Sequence, residues 1–320
     1  MTYIFTDVEK KVVTAEIRRR LKRSERSEIL RVSSKTVDLA RIDHIFSDAD
    51  GTIVRDGAVA FDQDKVELLR RLHEAGVGVT VVTGKPYAEV AKLRGSLPED
   101  IPLSFICEKG AYLAIFDEGA IEREFILSTP ELEQQVAELK ERFFAEFAPY
   151  VTEKYGVHFA LSGSGTHRSL LGIDQFASPP PDDYLDRIGD AREVLKVTDK
   201  QKIAAVEAEI AAFVASIHPE WRVVHMGGAN TEIAPGPIEK DKGIERTSEY
   251  HEARQVMVLG DSWNDHAMLK LSSAHPDKAS AGLVVFRETA IPLANDADFV
   301  TIGMANTNPI LEAILDARHN

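Results

Sequence analysis

The stretch from His44 to Val54 reads His-Ile-Phe-Ser-Asp-Ala-Asp-Gly-Thr-Ile-Val, and it decides the fold of the chain around it. An apolar run leads directly into Asp48 and Asp50, one residue apart, and then into Gly51. This pattern predicts a buried strand that ends in a tight turn, because glycine adopts backbone conformations that other residues avoid. Two carboxylates held so close repel each other, and burying them is costly. Something must therefore offset this cost, and the rest of the sequence should indicate what it is.

Apolar runs and amphipathic segments alternate along the chain on both sides of this turn, from Arg41 onwards. One helical stripe carries Val66, Leu69 and Leu72 and stops at Gly76. Continuous apolar runs such as the one at 77–82 are typical of strands buried on both faces. Strands separated by helices predict an α/β fold with a mostly parallel sheet and helices on both faces.

Residues 127–226 do not continue this strand–helix alternation. They contain a long helical segment, two strands around a Ser/Gly turn, and a further strand–helix–strand run. This predicts an inserted α+β cap domain at 127–226, which divides a core made of residues 42–126 and 227–320. The short run at 231–235, Thr-Glu-Ile-Ala-Pro, is assigned to the core, where the strand–helix alternation resumes.

Residues 1–41 are predicted to form a basic, helical N-terminal extension. They hold eleven Lys and Arg residues against six Asp and Glu residues, although the whole chain has a net charge of -14. The extension is interpreted either as a solvated arm or as a docking arm through which a homo-oligomer forms.

Composition narrows the classes of function. The acidic balance of the 320 residues argues against nucleic acid as a partner. No apolar run is long enough for a membrane-spanning helix, and the N-terminus does not resemble a secretory signal. The single cysteine, Cys107, lies in an apolar run and predicts a buried thiol. We therefore expect a cytoplasmic protein that does not bind membranes.

Four polar segments each follow an apolar strand run, and their order is informative. Any one of them could be an ordinary turn or helix start. Together they would meet beyond the carboxyl ends of the strands, where sites form in such sheets. Oxygen ligands without His or Cys favour Mg²⁺, and a threonine and a lysine beside them suit a phosphate group. The segments carry Asp48 and Asp50; Thr83; Lys240 or Lys242; and Asp261, Asn264 and Asp265.

These segments, read as DADGT, VVTGK, KG and GDSWND, resemble the four motifs of the haloacid-dehalogenase-like (HAD) phosphatase superfamily. The resemblance runs from about Ile42 to the end of the chain. Residues 105–122 further resemble the Cof-type, sugar-phosphate phosphatase branch, although Lys109 stands where its members usually have Asn. The resemblance implies a Rossmann-like core with a large α+β cap and a Mg²⁺-dependent reaction.

The resemblance also implies a role for each matching residue. Asp48 would be the nucleophile and a Mg²⁺ ligand, and Asp50 the general acid/base, with its backbone carbonyl on the metal. Thr83 would bind phosphate, and Lys242, directly before Gly243, matches the motif lysine better than Lys240.

The remaining motif residues would complete the site. Asp261 and Asp265 would hold Mg²⁺, supported by Ser262 and Asn264, while Gly51 shapes the first turn. Lys85 stands where many relatives have Arg.

Polar residues of the cap are candidate readers of the leaving group, or else members of an ordinary polar hairpin turn. Trp263, beside the acids, could stack on a substrate or simply pack. The cap candidates are Ser162, Ser164, Thr166, His167 and Arg168.

The leading expectation for function is a phosphomonoester hydrolase that acts through an aspartyl-phosphate on a small phosphorylated metabolite, with a sugar phosphate as the expected substrate class. Trehalose-6-phosphate, sucrose-phosphate and mannosyl-phosphoglycerate phosphatases belong to the branch. A phosphomannomutase-like phosphosugar mutase is an alternative, and a non-catalytic sensor of a phosphorylated ligand is a weaker one, because the acids are all present.

Overall fold

The His44–Val54 stretch begins as a strand in which all five residues from His44 to Asp48 are buried, and it then turns at Gly51. The computed structural model describes residues 4–8, 12–23, 28–117, 120–162, 165–181, 196–227 and 229–319. Its strands are β1 (Ile4–Asp7), β2 (Glu28–Arg31), β3 (His44–Asp48), β4 (Gly78–Val82), β5 (Ser104–Cys107), β6 (Tyr112–Asp117), β7 (Ala120–Phe125), β8 (His158–Leu161), β9 (Leu171–Phe176), β10 (Arg222–Gly227), β11 (Asn230–Ala234), β12 (Val256–Gly260), β13 (Ala279–Val285) and β14 (Phe299–Ile302).

The α-helices of the described residues lie between these strands or after the last of them, and a π-helical turn at Phe143–Phe147 joins two of the helices. They are α1 (Val13–Arg23), α2 (Gln63–Glu74), α3 (Tyr87–Arg94), α4 (Pro130–Arg142), α5 (Ala148–Tyr155), α6 (Lys200–Ile217), α7 (Lys240–Tyr250), α8 (His266–Leu269), α9 (Leu271–Ala274) and α10 (Asn308–His319).

The main sheet has the strand order β1-β2-β14-β13-β12-β3-β4-β5-β6-β7. The six strands from β14 to β5 are mutually parallel, so their carboxyl ends share one edge. Phe46 and Val258 join one buried cluster with Ile17, Ile244 and Met268 of helices α1, α7 and α8. Leu259 follows Val258 in β12, so its side chain points to the opposite face of the sheet. There Leu259 and Ile310 of α10 both lie against Gly282, which places α10 on that face. The predicted α/β fold is confirmed.

Helix α2 forms for the reasons that its sequence indicated. Val66, Leu69 and Leu72 are buried along one stripe, and the helix ends before Gly76, whose φ is +71°. Cys107 is a buried thiol that forms no disulfide, also as predicted. Among the described residues, we find no helix that is long and apolar enough to cross a membrane.

The chain divides into two compact units, and each is built around its own sheet. The first contains Met1–Thr83, Val90–Ile126 and Lys240–Asn320, and the second contains Gly84–Glu89 and Leu127–Glu239. The second unit has an antiparallel sheet in the order β10-β11-β9-β8. Its core is formed by helix residues such as Val136, Phe143 and Val206 packed with Ile173 and Ile233 of the sheet.

The structure corrects the predicted boundary at residue 226. Residues 231–235 were assigned to the core, but Asn230–Ala234 form β11, which pairs antiparallel with both β9 and β10. The second unit therefore continues to Glu239. The first strand of the predicted strand–helix–strand run, at 192–198, lies mostly outside the described residues, although Lys196 forms an isolated bridge with Phe176.

The N-terminal segment is more than a helical arm. Its helix, α1, buries Val13 and Ile17, while β2 pairs antiparallel with β14 and buries Ile29 and Leu30. Because these apolar side chains are covered by the main sheet and its helices, residues 1–41 group with the first compact unit and do not lie outside it.

Candidate active site

Three aspartates from two neighbouring strand ends meet at the carboxyl edge of the main sheet. Asp48 is the last residue of β3, and Asp261 directly follows β12, which runs parallel to β3. Asp265 lies four residues on, in the short turn Trp263–Asp265. All three are buried, and carboxylate oxygens from the three residues lie within 4.8 Å of one another.

Burial and mutual repulsion make these acids hard to ionise. Burial raises the pKa of Asp48 well above its ordinary value, and the neighbouring Asp265 and Asp261 raise it further against the opposing charge of Lys240. Burial and Asp265 together raise the pKa of Asp261 to about 7, against the lowering effects of Thr52, Lys240 and Arg287. A cluster of this kind is stabilised by added positive charge.

Lys240 supplies one such charge. Its buried ammonium donates hydrogen bonds to Asp48 Oδ1 and, at 2.6 Å, to Asp265 Oδ1. Burial alone lowers the pKa of Lys240, but Asp265 and Asp48 outweigh it and raise the pKa above its ordinary value. The ammonium therefore stays charged between the two carboxylates.

The choice of Lys242 as the motif lysine is wrong in this structure. Lys242 is half exposed, and its Nζ donates to Glu245 Oε2 at 3.0 Å. Two residues along a helix turn a side chain about 200°, so Lys240 and Lys242 face opposite ways. Lys240 shares the buried face of α7 with Gly243, Ile244 and Thr247. That stripe, read from the sequence, was the signal that could have identified Lys240.

Gly243 has a packing role on the same helix. A Cβ there would lie 2.7 Å from Gly110 Cα, so α7 can approach the turn at Glu108–Gly110 only because residue 243 is glycine. In that turn Lys109 has a φ of +58°. This left-handed conformation suits Asn better than Lys, which accounts for the Asn usual at this position in the Cof-type branch.

Asp265 organises the loop that carries it. Its Oδ2 accepts hydrogen bonds from the backbone N–H groups of Asp261 at 3.0 Å and Ser262 at 3.1 Å, and from Ser262 Oγ at 3.2 Å. Ser262 Oγ also donates to Asn264 Oδ1. Ser262 and Asn264 therefore act on the loop, while the Trp263 side chain between them is exposed and meets His266 edge-on.

Thr52 was not singled out from the sequence, although it is part of the first motif. Its buried hydroxyl donates to Asp261 Oδ1 at 2.9 Å and so joins the first motif loop to the last. Gly51 has a φ of +78° and lies against Asp261 and the ring of Phe286. Both residues fix the relative position of Asp48 and Asp261.

Asp50 and Thr83 flank the cluster without being part of it. The described residues that form the cluster do not include Asp50, whose Oδ1 accepts the Gly57 N–H at 3.1 Å. Thr83 follows β4, where Val82 is the register partner of Asp48, and it is buried. The backbone of Thr83 bonds to Ile106 and Lys109.

The remaining predicted residues belong to the second unit. Lys85 lies in its Gly84–Glu89 segment, and His167 Nε2 lies 3.1 Å from the carbonyl oxygen of Gly84. Thr166 and Arg168 are exposed, Ser162 is buried, and Ser164 lies outside the described residues.

The donor set fits a divalent cation. Three carboxylates converge, no thiolate or imidazole belongs to the cluster found among the described residues, and hard cations such as Mg²⁺ prefer oxygen ligands. The raised pKa values of Asp48 and Asp261 indicate that one lysine does not completely offset the effects of burial and of repulsion between the acids. Asp48, Asp261 and Asp265 are therefore the residues that would hold a metal.

Comparisons with solved structures agree with this architecture. A haloacid dehalogenase-like hydrolase from Bacteroides thetaiotaomicron is 17% identical with a TM-score of 0.56, and the match covers 85% of this chain and 98% of that one. Trehalose-6-phosphate phosphatase from Aspergillus fumigatus is 16% identical with a TM-score of 0.54, covering 90% and 100%. A protein from Thermoplasma acidophilum is 16% identical with a TM-score of 0.53, covering 85% and 98%. At such identities the likeness concerns the fold alone.

The family itself is shown by sequence. A comparison with curated proteins gives no significant match. The family model for haloacid dehalogenase-like hydrolases matches residues 45–275, which include every motif of the cluster. The chain therefore belongs to the haloacid dehalogenase-like hydrolases, as an enzyme of the phosphatase superfamily that its motifs resemble.

Proposed function

We propose that this enzyme is a Mg²⁺-dependent phosphomonoester hydrolase in which Asp48 carries the phosphoryl group between two steps. The observation that supports this most is the buried Asp48 carboxylate, paired with Lys240 within a cluster of three acids. A carboxylate so placed is oriented by the lysine and shielded from bulk water. These properties suit a nucleophile that attacks an anionic ester.

Asp48, Asp261 and Asp265 would hold the cation, which would neutralise charge on the ester and on the attacking carboxylate. Lys240 keeps the nucleophile and Asp265 at a fixed spacing and contributes a further positive charge. Thr83, at the end of the neighbouring strand, donates a hydrogen bond to a phosphoryl oxygen.

In the first step, an Asp48 oxygen attacks phosphorus while the bond from phosphorus to the leaving oxygen breaks. Asp50 gives its proton to that oxygen, and the alcohol departs. In the second step, Asp50 takes a proton from water as the water oxygen attacks phosphorus. The bond from phosphorus to Asp48 breaks, inorganic phosphate is released, and Asp50 is again protonated.

A sugar phosphate is the substrate class that we propose. Support comes from the resemblance to the sugar-phosphate branch and from the trehalose-6-phosphate phosphatase among the similar structures. Within the second unit, His167 Nε2 lies 3.1 Å from the Gly84 carbonyl oxygen, and the roles of Lys85, His167 and Arg168 towards the leaving group stay predictions from the sequence.

The first experiment measures inorganic phosphate released from 4-nitrophenyl phosphate and then from a panel of sugar phosphates. Activity should require Mg²⁺ and disappear with a chelator. Asp48→Asn should lower kcat at least about a thousandfold while far-UV circular dichroism stays unchanged. Acid-quenched wild-type enzyme should carry one phosphoryl group on the peptide that contains Asp48. Full activity in Asp48→Asn, or transfer of the phosphoryl group back to a sugar without release of phosphate, would contradict the proposal.

The two lysines provide a matched pair of variants. Lys240→Met should lower kcat about a hundredfold or more, because a buried charge beside the nucleophile is lost. Lys242→Met should retain activity within about twofold, since an exposed ion pair on a helix contributes little. Circular dichroism checks that both variants fold, and the opposite ranking would refute the role given to Lys240.

A further inference from the structure

The loop from Asp50 to Gly57 is closed by its own hydrogen bonds. Asp50 Oδ1 accepts the Gly57 N–H at 3.1 Å, and the Gly51 N–H donates to the Val54 carbonyl at 2.8 Å. The carboxylate of Asp50 is thus held by the far end of the loop that begins with it. Its position therefore depends on whether the Gly57 end of the loop stays in place.

The two ends of this loop are anchored differently. Near its start, Thr52 Oγ1 donates to Asp261, and the Gly51 carbonyl accepts the Ala305 N–H at 2.7 Å. The Thr52 contact is buried and binds the start of the loop to the carboxylate cluster, while the Ala305 contact binds it to the segment that follows β14. Near its far end, the Asp56 carboxylate accepts a hydrogen bond of 2.5 Å from the Arg287 guanidinium.

Arg287 is also held in place by the neighbouring Phe286 ring. It lies just beyond β13, and its guanidinium carbon is 4.6 Å from the centre of the Phe286 ring, within the range of a cation–π contact. The same ring lies against Gly51, where an added Cβ would be 2.7 Å from Phe286 Cε1. Residues 286 and 287 therefore contact the beginning and the end of one loop.

We propose that the Arg287–Asp56 ion pair is a positioning device that keeps the Asp50–Gly57 loop closed and Asp50 ready to protonate the leaving oxygen. This inference rests on the proposed function, in which Asp50 is the general acid. Both side chains are about half exposed, so the pair changes an equilibrium constant by at most about fivefold. Its loss should release the Gly57 end while the buried contacts of Thr52 remain.

A comparison of leaving groups distinguishes this role from general damage to the site. Phenolate is a poorer leaving group than 4-nitrophenolate, so hydrolysis of phenyl phosphate depends more on the proton donor. Because Asp50 also acts in the second step, which both esters share, the comparison uses kcat/KM, which reports only the first step. Arg287→Gln should lower kcat/KM with phenyl phosphate about fivefold and kcat/KM with 4-nitrophenyl phosphate by less than about twofold. Asp56→Asn should reproduce this pattern, and the double variant should be no slower than either single one.

Arg246→Gln is the matched control, because Arg246 forms a similarly exposed pair with Glu249 on α7, away from the loop. It should change neither rate. An equal fall in kcat/KM for both esters in Arg287→Gln would overturn the inference. Normal kcat/KM values in Asp56→Asn would also overturn it, because Arg287 would then act directly on the substrate.

A second measurement needs no turnover. Hydrogen exchange at the Gly57 amide should accelerate in Arg287→Gln and in Asp56→Asn, and it should stay at the wild-type rate in Arg246→Gln. Unchanged exchange in the two loop variants would refute the tether. If wild-type enzyme hydrolyses neither ester, the proposed function fails, and the exchange rates still decide whether the ion pair holds the loop.

Discussion

At the scale of single residues, Gly51 has the most constrained environment in the first motif. Its φ of +78° lies in the left-handed region, and a Cβ would be 2.7 Å from Phe286 Cε1 and 2.9 Å from Asp261 Oδ2. A side chain at this position would therefore meet both a backbone penalty and two steric contacts, one of them with a member of the carboxylate cluster.

Gly51→Ala should lower the free energy of unfolding by about 2–4 kcal/mol, the sum of backbone strain and overpacking. Gly76→Ala is the matched control in the same compact unit, since Gly76 has a φ of +71° but its added Cβ would meet only Arg318 Nη1, at 3.9 Å. It should lose about 1–2 kcal/mol from strain alone. Urea unfolding measures both values, and equal losses would contradict the steric account.

The site residues differ in how far the sequence predicts them. Asp48 and Asp261 follow from apolar runs that end in acids, because strand ends in a parallel sheet converge. Lys240 and Lys242 could not be separated by spacing alone, since the answer depends on which face of α7 is buried. Arg287 carries no local signal at all, because its link to Asp56 joins residues 231 positions apart.

At the scale of elements, a buried polar network joins β3, β4, β5 and the residue after α7. His44 Nε2 lies 2.8 Å from Thr80 Oγ1, which lies 2.8 Å from Ser104 Oγ, and Ser104 Oγ lies 3.3 Å from His251 Nε2. The two imidazole rings also stack, with centroids 4.7 Å apart. Neutral histidines suit this arrangement, because a buried charge would have no acid beside it within the network.

Acid should weaken this network. Burial, and then His251, lower the pKa of His44 from 6.5 to about 3, and burial lowers the pKa of His251 in the same direction. Between pH 6.5 and 3 the unfolded chain binds a proton at residue 44 that the folded chain does not, so the stability contributed by neutral His44 is lost as pH falls.

The test compares wild-type protein with His44→Asn in urea at several pH values. The variant should be less stable at pH 7, and the difference in free energy of unfolding should shrink steadily towards pH 4. Subtracting the free energy of unfolding of the variant from that of wild type at each pH cancels the opposing pH dependence of acids such as Asp48, which both proteins contain. A difference that does not change with pH would contradict the assignment.

Elements were predictable where local pattern decides them and unpredictable where pairing decides them. The stripe of α2 and its end at Gly76 follow from periodicity and from glycine's conformational freedom. The strand at Asn230–Ala234 was assigned to the wrong sheet, because five residues reveal that a strand exists but not which strands it joins. For the same reason the pairing of β2 with β14 could not be inferred from residues 1–41.

At the scale of the whole molecule, the proposed Mg²⁺ should couple to the stability of the first compact unit. A ligand that binds only the folded state adds about 2.7 kcal/mol at a hundred times its Kd. Asp261→Asn should lose most of this gain, because one of three clustered carboxylates is removed. In chelator the variant should be at least as stable as wild type, since burial and repulsion from Asp265, which raise the pKa of Asp261 to about 7, do not penalise an uncharged Asn side chain.

Thermal unfolding with and without Mg²⁺ measures both effects. Asp100→Asn is a control, because Asp100 is exposed and pairs with Arg70 on the surface, and this variant should keep the full Mg²⁺-dependent rise in Tm. A normal rise in Asp261→Asn would show that the cation binds elsewhere.

The order of strands in the main sheet has a consequence for synthesis on the ribosome. Strand β3, which ends in the nucleophile, has β12 as a neighbour, and His44 is the register partner of Val256. The nascent polypeptide therefore emerges with β3 lacking one flank until translation has passed residue 260. Strand β2 lacks its neighbour β14 for longer, until translation has passed Ile302. During that interval the apolar edges have no native partner, so chaperones that shield such edges should influence the yield of active enzyme more than they influence its final stability.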